Sequence, residues 1–461
     1  MALARPIRLL TVFGGIVASL LGTPALADND PQKSSEYCGS CHERIFKEWQ
    51  ASPMGQDMHN PIVKQLYVGL NGKGQPDPLG YQSMFPGKNG DCADCHVPTL
   101  VINEHKAGRG DVDLAKAMDQ KSDHGISCQF CHTVTDVHIK KDAEGKFTRR
   151  IFDKLTLENG ERKFGPRETL AKGPQSPVHD NVQSALIKEA RFCAACHLNQ
   201  EEKVLAINTF DEYSRLKEAG KTQETCQTCQ MSLLPGKQEV STGFPAREGV
   251  RAHSFPGARD AGMLKKAVDL TLESRIENGV LVVATRAENI GAAHPVPGSG
   301  PIRNVILKVD VLDAAGRPLK YIGDQKNLLP PLAGMGNPQT KQRDAQDWAG
   351  MPGRFYSRVL KGVNPMSKQM TMGVPGFIAD EVAFDTSLKP GQPDLAEFRF
   401  ALPERAADAI TVKARLVYRW TFKPMADRKQ WALEDRPMRE VTQTVKVAAT
   451  VAGAGANLAA R

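Results

Sequence analysis

Ten cysteines, all between positions 38 and 229 of a 461-residue chain, fall into five Cys-x-x-Cys pairs. Four run directly into histidine: Cys38/Cys41/His42, Cys92/Cys95/His96, Cys128/Cys131/His132 and Cys193/Cys196/His197. The fifth, Cys226/Cys229, is followed by Gln230. Two thiols three residues apart can form thioethers with the vinyl groups of a haem, and the adjacent imidazole can reach its iron. With only 11 histidines in the chain, four such placements by accident are on the order of one in a million. Zinc ribbons also use Cys-x-x-Cys, but they do not require histidine directly after the second cysteine. Disulfides within each pair would explain the even count in an exported protein, but not the histidines. The expected cofactor is therefore haem c: four, with a fifth at Cys226/Cys229 left open.

The elements that must hold these motifs begin after an expected secretory leader over residues 1–27. Arg5 and Arg8 supply its charged end, Leu9 to Leu21 its apolar stretch, and Ala25-Leu26-Ala27 its cleavage site. Export to the periplasm follows as an expectation, with no segment after the leader suited to spanning a bilayer. The formal charge of +8 would be offset by haem propionates, and no basic run interleaved with aromatics argues for nucleic acid.

Residues 28–258 are expected to form the haem domain. Their apolar periodicity is weak and Gly, Pro, Asp and Lys are frequent, so macrocycles would supply the core that the side chains do not. The motif intervals of 54, 36, 65 and 33 residues are irregular and exclude a repeat array. Helices are expected over Glu43–Ala51, Asp180–Cys193 and Glu201–Ala219. Leu70–Gly90 is expected as a loop, and Lys141–Gly173 as a hairpin-bearing insertion. From 259 to 450 the composition turns to β-branched runs, with alternation clearest where Val305, Leu307, Val309 and Val311 oppose Ile306, Lys308 and Asp310. The fold class is thus α+β, a mostly helical and coil multihaem domain followed by an antiparallel β-sandwich-like domain. Leu328–Gly376 is expected as a long loop, and 451–461 as a disordered tail.

Seven histidines remain as candidates for the second axial position: His59, His105, His124, His138, His179, His253 and His294. Here the chain resembles the cytochrome c-552/4 family of multihaem cytochromes. The resemblance rests on Trp49 to Met54 after the first motif, His124 to Cys128 at the third, and Gly173-Pro174 with His179 before the fourth. It continues in Phe210 to Tyr213 leading to the fifth, in His253 to Gly257, and in Asn289 to Gly298 with His294. It implies that His179, His253 and His294 are distal ligands, each for a haem whose motif lies elsewhere in the chain. The family's histidine position after the first motif is held here by Met54, with His59 five residues on. Ligation by Met54 or by His59 stays open, as does packing of Met54 against porphyrin. At the fifth motif, Gln230 replaces the expected histidine. A Cys226–Cys229 disulfide is the adopted expectation, beside haem held through Gln230 or Met231 and haem with an open iron face.

The expected function is electron transfer between redox partners, such as other cytochromes or a quinol-oxidising membrane complex. The alternative is an oxidoreductase acting on a nitrogen oxide, sulfur oxyanion or peroxide at an open-faced haem. A docking subunit working through the β-domain is the third. Catalytic residues are not assignable, and a carrier is favoured over a catalyst.

Overall fold

The computed structural model describes residues 34–447, except 121–124, 159, 170, 175, 299, 337–339, 341, 365–366 and 403–408. The expected leader, the expected tail and His124 lie outside the described residues. Among the described residues, no helix is long and apolar enough to cross a membrane.

The N-terminal part is built from short helices, as its broken periodicity requires. Each motif occupies one helical turn. Cys92–His96, Cys128–Cys131, Ala194–His197 and Cys226–Gln230 are α-helical, and the first motif straddles the junction of Ser35–Gly39 with Glu43–Gln50. Local caps fix several of these turns. Ser34 accepts from Tyr37 N, Ser127 accepts from Phe130 N, and Thr225 with Thr228 forms a capping box. Glu43–Gln50 confirms the first expected helix. Its exposed side carries Lys47–Glu43 and Arg44–Glu48 pairs one turn apart, and Trp49 Nε1 donates to Ile126 O at 2.9 Å.

Two helix expectations need correction. Asp180–Cys193 is a strand, Asn181–Gln183, paired in parallel with Lys163–Gly165, followed by 3-10 turns at Leu186–Lys188 and Ala190–Cys193. Its apolar residues serve two surroundings: Leu186 and Ala190 are in protein core, while Val182 and Ile187 line a cavity. Glu201–Ala219 is helical only over Thr209–Glu218. The residues before it pair as Asn199–Gln200 with Leu205–Ile207.

Among the described residues the C-terminal part holds ten strands: β1 (Val268–Glu277), β2 (Val280–Asn289), β3 (Asn304–Leu312), β4 (Gly353–Tyr356), β5 (Arg358–Val363), β6 (Met370–Met372), β7 (Glu381–Asp385), β8 (Asp394–Ala401), β9 (Ala409–Arg419) and β10 (Arg436–Lys446). They form antiparallel sheets in the orders β8-β2-β1, β4-β3-β9-β10 and β6-β5-β7. The β1–β2 hairpin turns at Asn278-Gly279, both at positive φ (49° and 78°), a type I′ geometry that matches strand twist. The first two sheets pack face to face. Leu281, Val283, Phe398 and Phe400 meet Leu307, Val309, Val412 and Leu416 in a dry core.

The alternation in β3 is real, but both of its faces are used. Val305, Leu307, Val309 and Val311 enter the sandwich core, and Ile306 enters a second core with Leu329, Trp348, Phe355 and Met425. That second core corrects the long-loop expectation for Leu328–Gly376, which contains β4, β5 and β6. Its glycines and prolines punctuate short strands instead of replacing them. Gly353 shows why one must be glycine: a Cβ there would stand 2.2 Å from Leu307 O on the neighbouring strand.

The two parts are joined by polar contacts. Gly72 N donates to Lys429 O at 2.7 Å, and Lys429 Nζ donates to Leu70 O at 2.9 Å and pairs with Asp77 at 3.2 Å. Arg358 donates to Leu205 O at 2.9 Å.

Candidate haem-binding cavity

One cavity of about 2760 Å³ runs through the N-terminal part to the edge of the sheets. A pocket for one small molecule spans roughly 300–1,000 Å³, so this volume suits several large groups. His42, His96, His132 and His197 line it with cysteines of all five motifs, as do His179, His253 and His294.

The turns stand close to one another across motif boundaries. Cys38 and Cys128 hydrogen-bond, joining motifs one and three. Cys95 and Cys196 join two and four, and Cys193 and Cys226 join four and five. None of the ten cysteines is in a disulfide. The fifth motif therefore departs from its expectation, since Cys226 is turned to Cys193 and is not bonded to Cys229. Gln230 and Met231 line the cavity beside it.

The imidazoles are arranged as metal ligands need to be. His42 Nδ1–H donates to Val240 O at 2.7 Å, and His132 Nδ1–H to Phe164 O at 2.8 Å. His253 donates to Arg251 O at 3.1 Å, His294 to Pro295 O at 2.7 Å and His179 to Asp180 O at 3.4 Å. His96 Nδ1–H donates to the carboxylate of Asp57 at 2.6 Å. Committing the proton to Nδ1 leaves the Nε2 lone pair for a metal. By contrast, His138 uses both nitrogens, with Asp136 and with Thr156 Oγ1. His105 stacks on Phe152 at 3.7 Å, and neither it nor His138 lines the cavity.

One facing pair and two pairs of neighbours emerge. The His42 and His179 ring centroids are 6.3 Å apart, the separation of about 6 Å expected for two imidazoles sharing a metal through bonds of about 2 Å. Burial, and then the nearby His132, push the His253 imidazolium down to about 4. His197 lies near His294 in the same sense. Burial, then Arg303 and His294, push it down to about 4. Burial also lowers His132, His179 and His294. All five are thus neutral at pH 7, the form that binds metal.

The imidazole of the second motif, His96, is placed differently. Asp57 opens the 3-10 turn Asp57–His59, and this turn follows Met54, whose carbonyl accepts from Asp57 N at 3.3 Å. With Nε2 as the ligating atom of His96, Asp57 stands behind the ring, and Met54 and His59 line the same cavity. His59 is exposed and Met54 half-buried. Among the described residues His96 has no facing imidazole. The residues near Cys92 are instead Tyr67 and Tyr81, stacked with centroids 6.0 Å apart.

Sequence reasoning missed Asp57, Arg303 and the Val240 and Phe164 carbonyls. Carbonyls carry no side-chain signal, and Asp57 is one of 52 acidic residues. Its only clue was its place between Met54 and His59.

No protein-family model matches the chain, and no curated protein matches it. A solved structure does: a penta-heme cytochrome c552 from Thermochromatium tepidum aligns with a TM-score of 0.60 at 20% identity. The match covers 89% of this chain and 98% of that one. At that identity the likeness is one of fold.

Proposed function

We propose that this chain is a multihaem c-type cytochrome that passes electrons between redox partners. In this proposal Cys38/Cys41, Cys92/Cys95, Cys128/Cys131 and Cys193/Cys196 each hold one haem c. One observation carries it: histidines far apart in sequence line one cavity with the motif histidines, and the His42 and His179 rings stand 6.3 Å apart with Nδ1 of each on a backbone carbonyl. Bound there, haem iron would supply one-electron chemistry. The chain's own part would be to bring His179, His253 and His294 to the cavity beside His42, His132 and His197, fix ring orientation through backbone carbonyls, and exclude water by burial. Residues 28–258 would provide the motifs and 259–450 the sheets that carry His294. Cys226/Cys229 would carry no haem for want of a histidine at Gln230.

Membership in the cytochrome c-552/4 family belongs to this proposal, supported by the motif resemblances and by the fold shared with a penta-heme cytochrome. So does export to the periplasm, supported by the features of residues 1–27. Other cytochromes or a quinol-oxidising membrane complex would be the partners.

A second function is favoured by the surroundings of His96. Lacking a facing imidazole among the described residues, the second motif could serve a small inorganic substrate such as a nitrogen oxide, sulfur oxyanion or peroxide. Carbon monoxide added during a spectroscopic redox titration separates the two. A carrier alone leaves every haem inert, whereas the second function requires binding at one haem in four. Binding at all four would contradict the paired-histidine arrangement itself.

A further inference from the structure

The Nδ1 partners of the cavity histidines are not equivalent. Val240, Phe164, Asp180, Arg251 and Pro295 offer neutral backbone carbonyls, whereas Asp57 offers a carboxylate to His96. A hydrogen bond to an ionised acceptor is roughly twice as strong as a neutral one, and its 2.6 Å length agrees. The acceptor draws the Nδ1 proton and gives the ring part of the character of an imidazolate. Such a ring donates more strongly through Nε2 and favours the more positive state of a bound metal. The carboxylate's own charge acts in the same direction.

Asp57 is held for this task. Ser52 Oγ accepts from Gly55 N at 3.1 Å, Asp57 N donates to Met54 O, and Asn60 N donates to Asp57 O at 3.1 Å, so the turn is closed on both sides. Met58, buried beside it, anchors the turn against Gly125, where a Cβ would come within 2.6 Å of Met58 Cγ. The Asp57 side chain is 16% exposed, which limits competition from water.

Building on the haem reading above, we propose that Asp57 is a positioning residue. It makes His96 a stronger donor than the other cavity imidazoles and lowers the reduction potential of the haem on Cys92/Cys95. The test is a redox titration of the full holoprotein and its Asp57→Asn variant, after peptide mass has shown haem on Cys92/Cys95. The expected result is that one midpoint rises by a roughly tenfold change in its one-electron equilibrium, about 59 mV, while the other three stay in place. Asp57→Glu, which keeps the carboxylate, should return most of the shift. Four unchanged midpoints in Asp57→Asn, or all four moving together, would overturn the proposal. If Asp57→Asn does not load its haems, Asp57→Ser, which also removes the carboxylate, decides instead: a rise confined to one midpoint supports the role, and an unchanged set overturns it. Absence of haem on the Cys92/Cys95 peptide of the wild type would instead overturn the haem reading at that motif, a failure that mass alone identifies.

Discussion

His294 gives its Nδ1 proton to Pro295 O and sits near His197, so its removal should leave one metal position without a partner while the motif thiols remain. His294→Ala is expected to keep its full haem complement and to gain a carbon-monoxide-binding haem absent from the wild type; the difference spectrum reads this directly. A second prediction at this scale concerns pH. Burial, with the nearby Asp385 charge, pushes the Glu212 carboxyl up to about 7 from its usual 4.5. Below about 4.5 both folded and unfolded chains hold the proton and the fold keeps this contribution in full. Between 4.5 and 7 the unfolded chain loses the proton first, so stability falls as pH rises, and above 7 the loss levels off. Glu212→Gln keeps the neutral form and the acceptor for Asn208 Nδ2, 2.8 Å away. It should match the wild type in urea denaturation at pH 4.5 and exceed it by about 1–2 kcal/mol at pH 8. The motif residues stand out in the sequence because the thioether chemistry proposed for them would fix their spacing. Asp57 was not, because a side chain that acts through another residue has no spacing to obey.

Among the elements, legibility followed covering. β3 could be read because one face sees only the sandwich core, and its alternation survives. Asp180–Cys193 could not, because its apolar residues answer to a cavity and to protein core by turns, which imitates helical spacing. The strands within Leu328–Gly376 were hidden by their brevity and by the glycines between them. Two substitutions test the element account. Phe398, fully buried between the sheets, should cost about 3–5 kcal/mol on truncation to alanine, seen as a lower urea midpoint. Gly353→Ala would drive a methyl into the Leu307 carbonyl and should cost about 1–3 kcal/mol by the same measure, although it removes no contact.

For the whole molecule, the α+β class was legible from the change of composition near residue 259, but the way its halves are fastened was not. Lys429 is fully buried against Asp77 and Leu70 O, contacts that span more than three hundred residues and leave no local mark. Lys429→Met would leave Asp77 without that partner and should lower stability by about 3–5 kcal/mol, read as a lower urea midpoint by circular dichroism. The same fastening brings His294 to the cavity, so the sheets and the motifs make one redox unit in this account. The most direct test of that unit is the mass of the denatured holoprotein. Four haem increments on one chain, on the peptides of Cys38/Cys41, Cys92/Cys95, Cys128/Cys131 and Cys193/Cys196, are the predicted result, and a chain carrying fewer than four would contradict it.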